Sequence, residues 1–416
     1  MRQAKTIGLL LVVVGLACWP WTASSQDTRW QALSAAGLRA YQQGYHPEAE
    51  KQFKAALEEA EGFGSRDPRI ATSLNNLAGL YKLQGRYREA EPLLLRELAI
   101  REQILGPEHP QLAQSLDDLA GLYHAQGRLG DAEPLYQRSL AIRERTLGAK
   151  HPELATTLGN LAALYQAQGR YTEAEPLQLD TLAILVKTLG PEHPHVATSL
   201  NNLAMLYKVQ GLYDEAKPLH LRALAIREQA LGPEHPEIAQ SLNNLAGLYH
   251  AQGEHGEAEP LLLRALAIRE QALGSEHPDV AQSLDNLAGL YHSQGYHREA
   301  EPLLRRALAI YENRLGAEHP GVAQSLNSLA GLYQAQGRYA EAEPLYQRAL
   351  AIYEKVLGSD HPALTTGLES YASLLRRMKP LASRLPGSEA TTMEVRAKTI
   401  RAKAIRTRHA GENPAK

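Results

Sequence analysis

HPEIAQSLNNLAGLYHAQGEHGEAEPLLLRALAIREQALGSE, residues 235–276, runs straight into HPDVAQSLDNLAGLYHSQGYHREAEPLLRRALAIYENRLGAE, residues 277–318. The second segment repeats the first almost letter for letter. Outward in both directions the same text recurs: His-Pro stands at 109, 151, 193, 235, 277, 319 and 361, always 42 residues on, and Asp67-Pro68 extends the series one step back. A fixed period of this length is the mark of a solenoid or a propeller, and the period inside the unit decides between them.

Inside the unit the apolar spacing is helical. Ala71, Leu74, Leu77, Ala78 and Tyr81 step by three and four, which puts them on one helix face. Asp67 stands where a cap belongs and Pro68 where a first helical residue belongs. Gln84-Gly85 closes this helix, called A, at about 17 residues and roughly 25 Å. In the second half Ala90, Leu94, Leu98 and Leu105 again keep helical spacing, and Gly106-Pro107 stops helix B. Nothing alternates as a strand would. Pro92 and its equivalents at 134, 176, 218, 260, 302 and 344 fall inside helix B. A start near Tyr87 or Arg88 sets each proline just past the first turn, where little hydrogen bonding is lost. Each unit is thus predicted to be two antiparallel helices, and the fold class an all-α solenoid.

The ends diverge, as the ends of solenoids do to cover their apolar faces. The predicted organisation is 1–25 a signal peptide, 26–66 a diverged N-terminal unit, 67–360 seven 42-residue units, 361–378 a partial C-terminal unit, 379–390 a linker, and 391–416 a basic helix and tail. Arg2 and Lys5 precede the apolar run TIGLLLVVVGLAC, and Ala23-Ser24-Ser25 reads as a cleavage site, so export to a bacterial periplasm or exterior is expected. Two other readings stand beside it. One is an uncleaved anchor. The other is lipid attachment at Cys18 within Gly15-Leu16-Ala17-Cys18, although the Leu stands one place too close to the Cys. After this segment no stretch is long and apolar enough to span a membrane.

Composition narrows the function. The 416 residues carry 44 Lys plus Arg against 46 Asp plus Glu, a balance unsuited to coating nucleic acid or an anionic membrane. The net +8 from Arg376 to Lys416 is modest and lacks interleaved aromatics, so nucleic acid is not expected as a partner there either. A single Cys excludes a disulfide framework and multi-cysteine zinc sites. Walker, GxSxG and HExxH motifs are missing, and acidic pairs that recur in every unit suit architecture better than a unique active site. The chain is read as no enzyme, with no cofactor. Equivalent His residues on neighbouring units lie about 8–10 Å apart, too far to share a zinc ion at about 2.1 Å, so no metal site is expected. The His of the His-Pro pairs are read as helix-start residues, pH-sensitive where they cap.

Leu74, Leu77-Ala78, Tyr81, Gly85, Ala90 and Leu94 sit at the spacing of the tetratricopeptide repeat, and L-N-N-L-A-x-L-Y, E-A-E-P-L and L-G-x-x-H-P resemble its 42-residue kinesin light chain type. The resemblance covers about 30–378. It implies a right-handed superhelix with helix A on its concave face, and an interaction scaffold as the role. The heptad region that joins a light chain to its motor is missing, so motor function is not implied.

The same resemblance places a peptide-binding groove on helix A. One ladder is Asn76, Asp118, Asn160, Asn202, Asn244, Asn286, Ser328 and Ser370; beside it runs Asn75, Asp117, Gly159, Asn201, Asn243, Asp285, Asn327 and Glu369. In kinesin light chains Asn at the first ladder's position hydrogen-bonds the backbone of an extended peptide. An amide both donates and accepts, so it suits a peptide unit of any side chain, and Asn is a poor enough helix former that its repetition calls for a reason. The other reading is that these Asn bond between neighbouring helices and stabilise stacking. Asp118 and Ser328 break the uniformity of the ladder. On the same face Gly79, Gly121, Gly247, Gly289 and Gly331, with Ala163 and Met205 in the gaps, each cost about 1 kcal/mol against Ala, which implies close approach of either a helix or a ligand. Lys82, His124, Gln166, Lys208, His250, His292 and Gln334 lie one turn further on and give mixed, mildly basic polarity. The expected partner is a protein or peptide. Self-association, with end units or convex faces building a homo-oligomer, is the alternative.

Overall fold

The computed structural model describes residues 25–148, 151–378 and 387–411. The N-terminal basic and apolar run with Cys18, most of the 379–390 linker, and the last five residues of the tail lie outside these. The described residues form eighteen α-helices and no strand. They alternate as A and B members of nine antiparallel pairs, each helix packing on its chain neighbours. The first pair is α1 (Ser25–Gln42) and α2 (His46–Glu61). In the repeats the A helices are α3 (Pro68–Leu83), α5 (Pro110–Ala125), α7 (Pro152–Gln168), α9 (Pro194–Val209), α11 (Pro236–Gln252), α13 (Pro278–Ser293) and α15 (Pro320–Ala335). The B helices that follow them are α4 (Tyr87–Leu105), α6 (Leu129–Leu147), α8 (Tyr171–Leu189), α10 (Tyr213–Leu231), α12 (His255–Leu273), α14 (His297–Leu315) and α16 (Tyr339–Leu357).

Local chemistry sets these boundaries. Asp67 caps α3 by accepting from the Arg69 N–H. In the next six A helices a histidine takes that role: Nδ1 of His109, His151, His193, His235, His277 and His319 accepts the amide proton two residues on, at 2.9–3.3 Å. Proline follows at the first helical position, where its missing N–H costs nothing. The B helices end on Gly106, Gly148, Gly190, Gly232, Gly274, Gly316 and Gly358, at φ 82–93° and ψ 153–163°, a conformation open in practice to glycine alone. Helix α4 starts at Tyr87, so Pro92 is its sixth residue and forfeits one backbone hydrogen bond.

The core is a continuous seam between layers. Leu74, Leu77, Ala78 and Tyr81 of α3 are buried, as are Ala90, Leu94 and Leu98 of α4. The Ala90 equivalents (Ala132, Ala174, Ala216, Ala258, Ala300 and Ala342) are fully buried, which lets the paired helices cross closely. At the A–B turn an arginine clamps two units. Arg86 lies over the Tyr81 ring at 4.0 Å, pairs with Glu89, and reaches back to Glu50 of α2. Arg128, Arg170 and Arg338 repeat this arrangement.

The N-terminal pair joins the stack through Trp30, whose indole N–H donates to Ser73 Oγ at 2.9 Å. At the other end α17 (Leu364–Met378) pairs with α18 (Glu389–Gly411), which begins two residues earlier than the sequence predicts. Helix α18 buries Ala390, Ala397 and Ile400. Three of its basic residues are engaged within the protein: Arg396 with Glu354, Arg401 with Glu369, and Lys403 with Asp360.

The solenoid turns far enough to meet itself. His319 Nε2, at the start of α15, donates to the Leu83 carbonyl at the end of α3, at 3.2 Å. Pro320 lies over Gly85, where a Cβ would stand 2.6 Å from the proline Cδ. His361 and Pro362 lie in the same way over Gly127, and His361 bonds the Ala125 backbone. His46 meets the backbone of Arg314. From α3 to α15 is twelve helices, so one superhelical turn takes six pairs.

Candidate functional site

The two ladders, adjacent in sequence, occupy different environments. Asn201 and Asn243 are buried, each with its amide N–H donating to the serine hydroxyl of the next unit, Ser241 at 3.1 Å and Ser283 at 3.4 Å. Asp285 stands in the same place and accepts from Ser325 at 2.8 Å. Asp117 does so from Thr157 at 3.0 Å and pairs with Arg143. Asn75 is half-buried and donates to Asp118 of the next unit at 2.9 Å. Asn327 is half-buried too, and its Oδ1 has no partner among the described residues. Gly367 stands where the other units carry a serine or threonine, so Asn327 also lacks the hydroxyl that accepts from Asn201 and Asn243. This second ladder bonds unit to unit, which is the stacking role.

The first ladder faces outward. Asn202 and Asn286 are exposed, and Asn76, Asn160 and Asn244 are half-buried. Asn76, Asn160 and Asn202 make no side-chain hydrogen bond with any described residue. Asn244 accepts from Gln240 at 3.0 Å, and Asn286 donates to Asn243 Oδ1 at 3.3 Å. Asp118 is held by Asn75 and by Gln114.

The glycine stripe runs beside this ladder. A Cβ on Gly79 or Gly289 would meet nothing within 4 Å, and on Gly331 only the Tyr346 hydroxyl at 3.7 Å. No helix packs tightly there, so close helix approach does not account for these glycines. At Gly121 and Gly247 the neighbours are lysine tips, Lys82 Nζ at 3.0 Å and Lys208 Nζ at 2.9 Å. Burial lowers the Lys208 pKa and holds His124, His250 and His292 below the ordinary imidazole value. The exposed face of the A helices therefore carries unbonded amides at Asn76, Asn160 and Asn202, beside a stripe of bare backbone that Ala163 and the exposed Met205 interrupt, edged by weakly basic groups.

Sequence reasoning missed a buried polar layer behind the ladders. Arg227 donates to Ser241 Oγ at 2.8 Å and to the Glu237 carbonyl at 3.1 Å; Arg269 does the same with Ser283 and Asp279 at 2.9 and 2.8 Å. Both guanidiniums are almost fully buried, and burial lowers their pKa. Where an arginine is replaced the network frays. Leu185 stands in its place before Ser199 and Gly159 in place of the ladder Asn, and the Ser199 hydroxyl has no described partner. The neighbouring His220 is fully buried, bonds Asn201 Oδ1 at 2.7 Å, and is pushed down to about 4 by desolvation. A sequence signal existed: Arg and Ser recur 14 residues apart. Among the described residues no three His, Cys, Asp or Glu are grouped to hold a metal ion, and no helix is long and apolar enough to cross a membrane.

Comparisons with known proteins bear on the repeat. A family model described as the tetratricopeptide repeat matches overlapping segments from 31–103 to 237–313, and a second model of that description matches 322–363. Among solved structures, the Podosopora anserina "kinesin light chain nearly identical TPR-like repeats" is 38% identical, covering 49% of this chain and 97% of that one, at TM-score 0.41. BtubC (BKLC) from P. vanneervenii is 26% identical, covering 60% and 93%, at TM-score 0.44. A Rap protein complexed with Competence and Sporulation Factor is 15% identical, covers 91% and 99%, and has a TM-score of 0.59, a likeness of fold. The search of curated proteins gave no match.

Proposed function

The chain belongs to the tetratricopeptide repeat family, and from that premise we propose that it is an exported, non-catalytic scaffold that holds an extended peptide or partner tail along the exposed face of its A helices. The contact residues are Asn76, Asp118, Asn160, Asn202, Asn244 and Asn286. One observation carries the reading: Asn202 is exposed mid-helix and makes no side-chain hydrogen bond with a described residue, while its neighbour Asn201 is occupied by stacking, and on the same face of other units Gly79 and Gly289 leave open space where a Cβ would stand. Amides at this spacing offer a donor and an acceptor to successive peptide units, and the missing Cβ atoms leave a strand's backbone room to approach.

The test is a displayed library of random peptides panned against the native chain and against a variant with Asn160, Asn202, Asn244 and Asn286 all changed to Ala. The native chain is expected to enrich peptides that the variant fails to hold, with the thermal midpoint of the variant within a few degrees of native. Equal recovery on both would end the reading. Asn201→Ala with Asn243→Ala serves as the contrast: it takes the Asn201 partner from His220 and leaves Ser241 and Ser283 with only their arginine bonds, and is expected to cost about 1–3 kcal/mol of stability without selecting against any peptide class. Export rests on the N-terminal basic and apolar segment. N-terminal sequencing of the chain from its source cell is expected to begin at Gln26; an intact Met1 or a lipid on Cys18 would replace that assignment.

A further inference from the structure

The contacts that close the superhelix use parts that every unit carries. In each closing contact a His-Pro loop sits on an A–B turn: the histidine Nε2–H meets a carbonyl of the last A-helix turn, and the proline or histidine ring covers the turn glycine. His319 with Leu83 and Pro320 with Gly85 form one such contact; His361 and Pro362 over Gly127 form the next. With six pairs to a turn and nine pairs described, the contact is satisfied only where units overlap. Several of the other halves are unpaired among the described residues. On one rim a Cβ at Gly211, Gly253, Gly295 or Gly337 would meet nothing within 4 Å. On the opposite rim the Nε2 atoms of His109, His193 and His235 make no hydrogen bond with a described residue.

Two of the open turns also differ from the covered ones. Where Arg86 and Arg128 clamp the covered turns, the corresponding residues of two open turns are Leu212 and Tyr296. Leu212 is 40% exposed and Tyr296 54%, and Val209, three residues before Leu212, is 50% exposed. They put apolar area on two turns of the rim, with the Glu254 turn between them.

We propose that this rim receives a second copy of the same chain, head to tail, with the His-Pro loops of one copy seated on the turns around Gly253 and Gly295 of the other. The occupant follows from continuity: the intramolecular closing contact, continued three and four units further along the superhelix, calls for His-Pro loops at these places, and this chain presents several on its other rim. Such an interface is heterologous, so it does not close at two copies, and assembly proceeds in steps as concentration rises.

Sedimentation velocity of the full chain over a wide concentration range tests this, beside a Leu212→Glu/Tyr296→Glu double variant and a Ser293→Lys variant. The substituted side chains lie on the open turns and off the Asn ladder, so peptide capture is untouched and circular dichroism should match native. The native chain is expected to grow past dimer with concentration. Both variants are expected to weaken that growth by roughly tenfold or more in Kd, as a charge set into an apolar contact does. A native chain that stays monomeric throughout, growth that stops at a dimer, or variants that associate as strongly as native would each overturn the proposal.

Discussion

Asp285 shows how one residue can set the sign of a pH effect. It occupies the stacking ladder where the preceding unit has Asn243, and desolvation pushes its carboxyl up to about 7, with only the Ser325 hydroxyl as a countering hydrogen bond. In the unfolded chain the group titrates near 3.8, so the folded state holds a proton that the unfolded state has released. Stability from this site is present below that value and is lost as pH rises toward 7. Asp285→Asn keeps a partner for Ser325 and removes the buried charge. It is expected to raise stability at pH 8 by about 1–3 kcal/mol and to do almost nothing at pH 4, in urea titrations at the two pH values. A gain that is equal at both would show that burial of the charge is not the cause. At this scale the sequence is partly legible. Asn201 and Asn202 look alike in the text, yet a single helical step of about 100° separates a buried stacking amide from an exposed one. Only the serine 40 residues further on, in another unit, tells them apart.

The helices themselves were legible because their stop and start signals are local. His-Pro, Gln-Gly and Leu-Gly each state a backbone requirement that no distant contact can waive, and the observed boundaries follow them. The Leu-Gly stop is the strictest. Gly232, at φ 85° and ψ 155°, ends α10 in a region that a side chain enters at about 1–3 kcal/mol. Gly232→Ala is therefore expected to lower the urea midpoint by that amount of stability, although a Cβ there would touch nothing within 4 Å. A null result would mean that the loop relaxes into another conformation. The glycine stripe is the opposite case. Gly79 and Gly289 sit inside helices with ordinary backbone, so their presence reports on the space outside the helix and not on the chain path.

At the scale of the whole molecule, linear solenoids hold only neighbour contacts, and this one adds contacts six units away. Nothing in the sequence announces them, because they depend on the sum of many small rotations between units. They also make the shape respond to acid. His319 and His361 use Nδ1 to accept a backbone proton and Nε2 to donate across the seam, so both are held neutral. Burial lowers His319 and takes His361 down to about 4. The closed form is favoured at and above the ordinary imidazole value of 6.5 and is lost progressively as pH falls toward 4. X-ray scattering is expected to show the radius of gyration rising between pH 7 and pH 5 while helix content by circular dichroism holds. His361→Asn, which can cap without titrating, should blunt the change, and a flat profile in the native chain would count against the seam as drawn. Interchangeable units give the same seam a second property. Removal of residues 193–234 would delete one unit without altering either junction, and His361 would then come to rest over Gly85 in place of Gly127, making the same contact one step earlier. Gain or loss of whole units is in this way tolerated like a vernier moved by one division: the length changes, every mark still finds a partner, and the coil keeps its pitch.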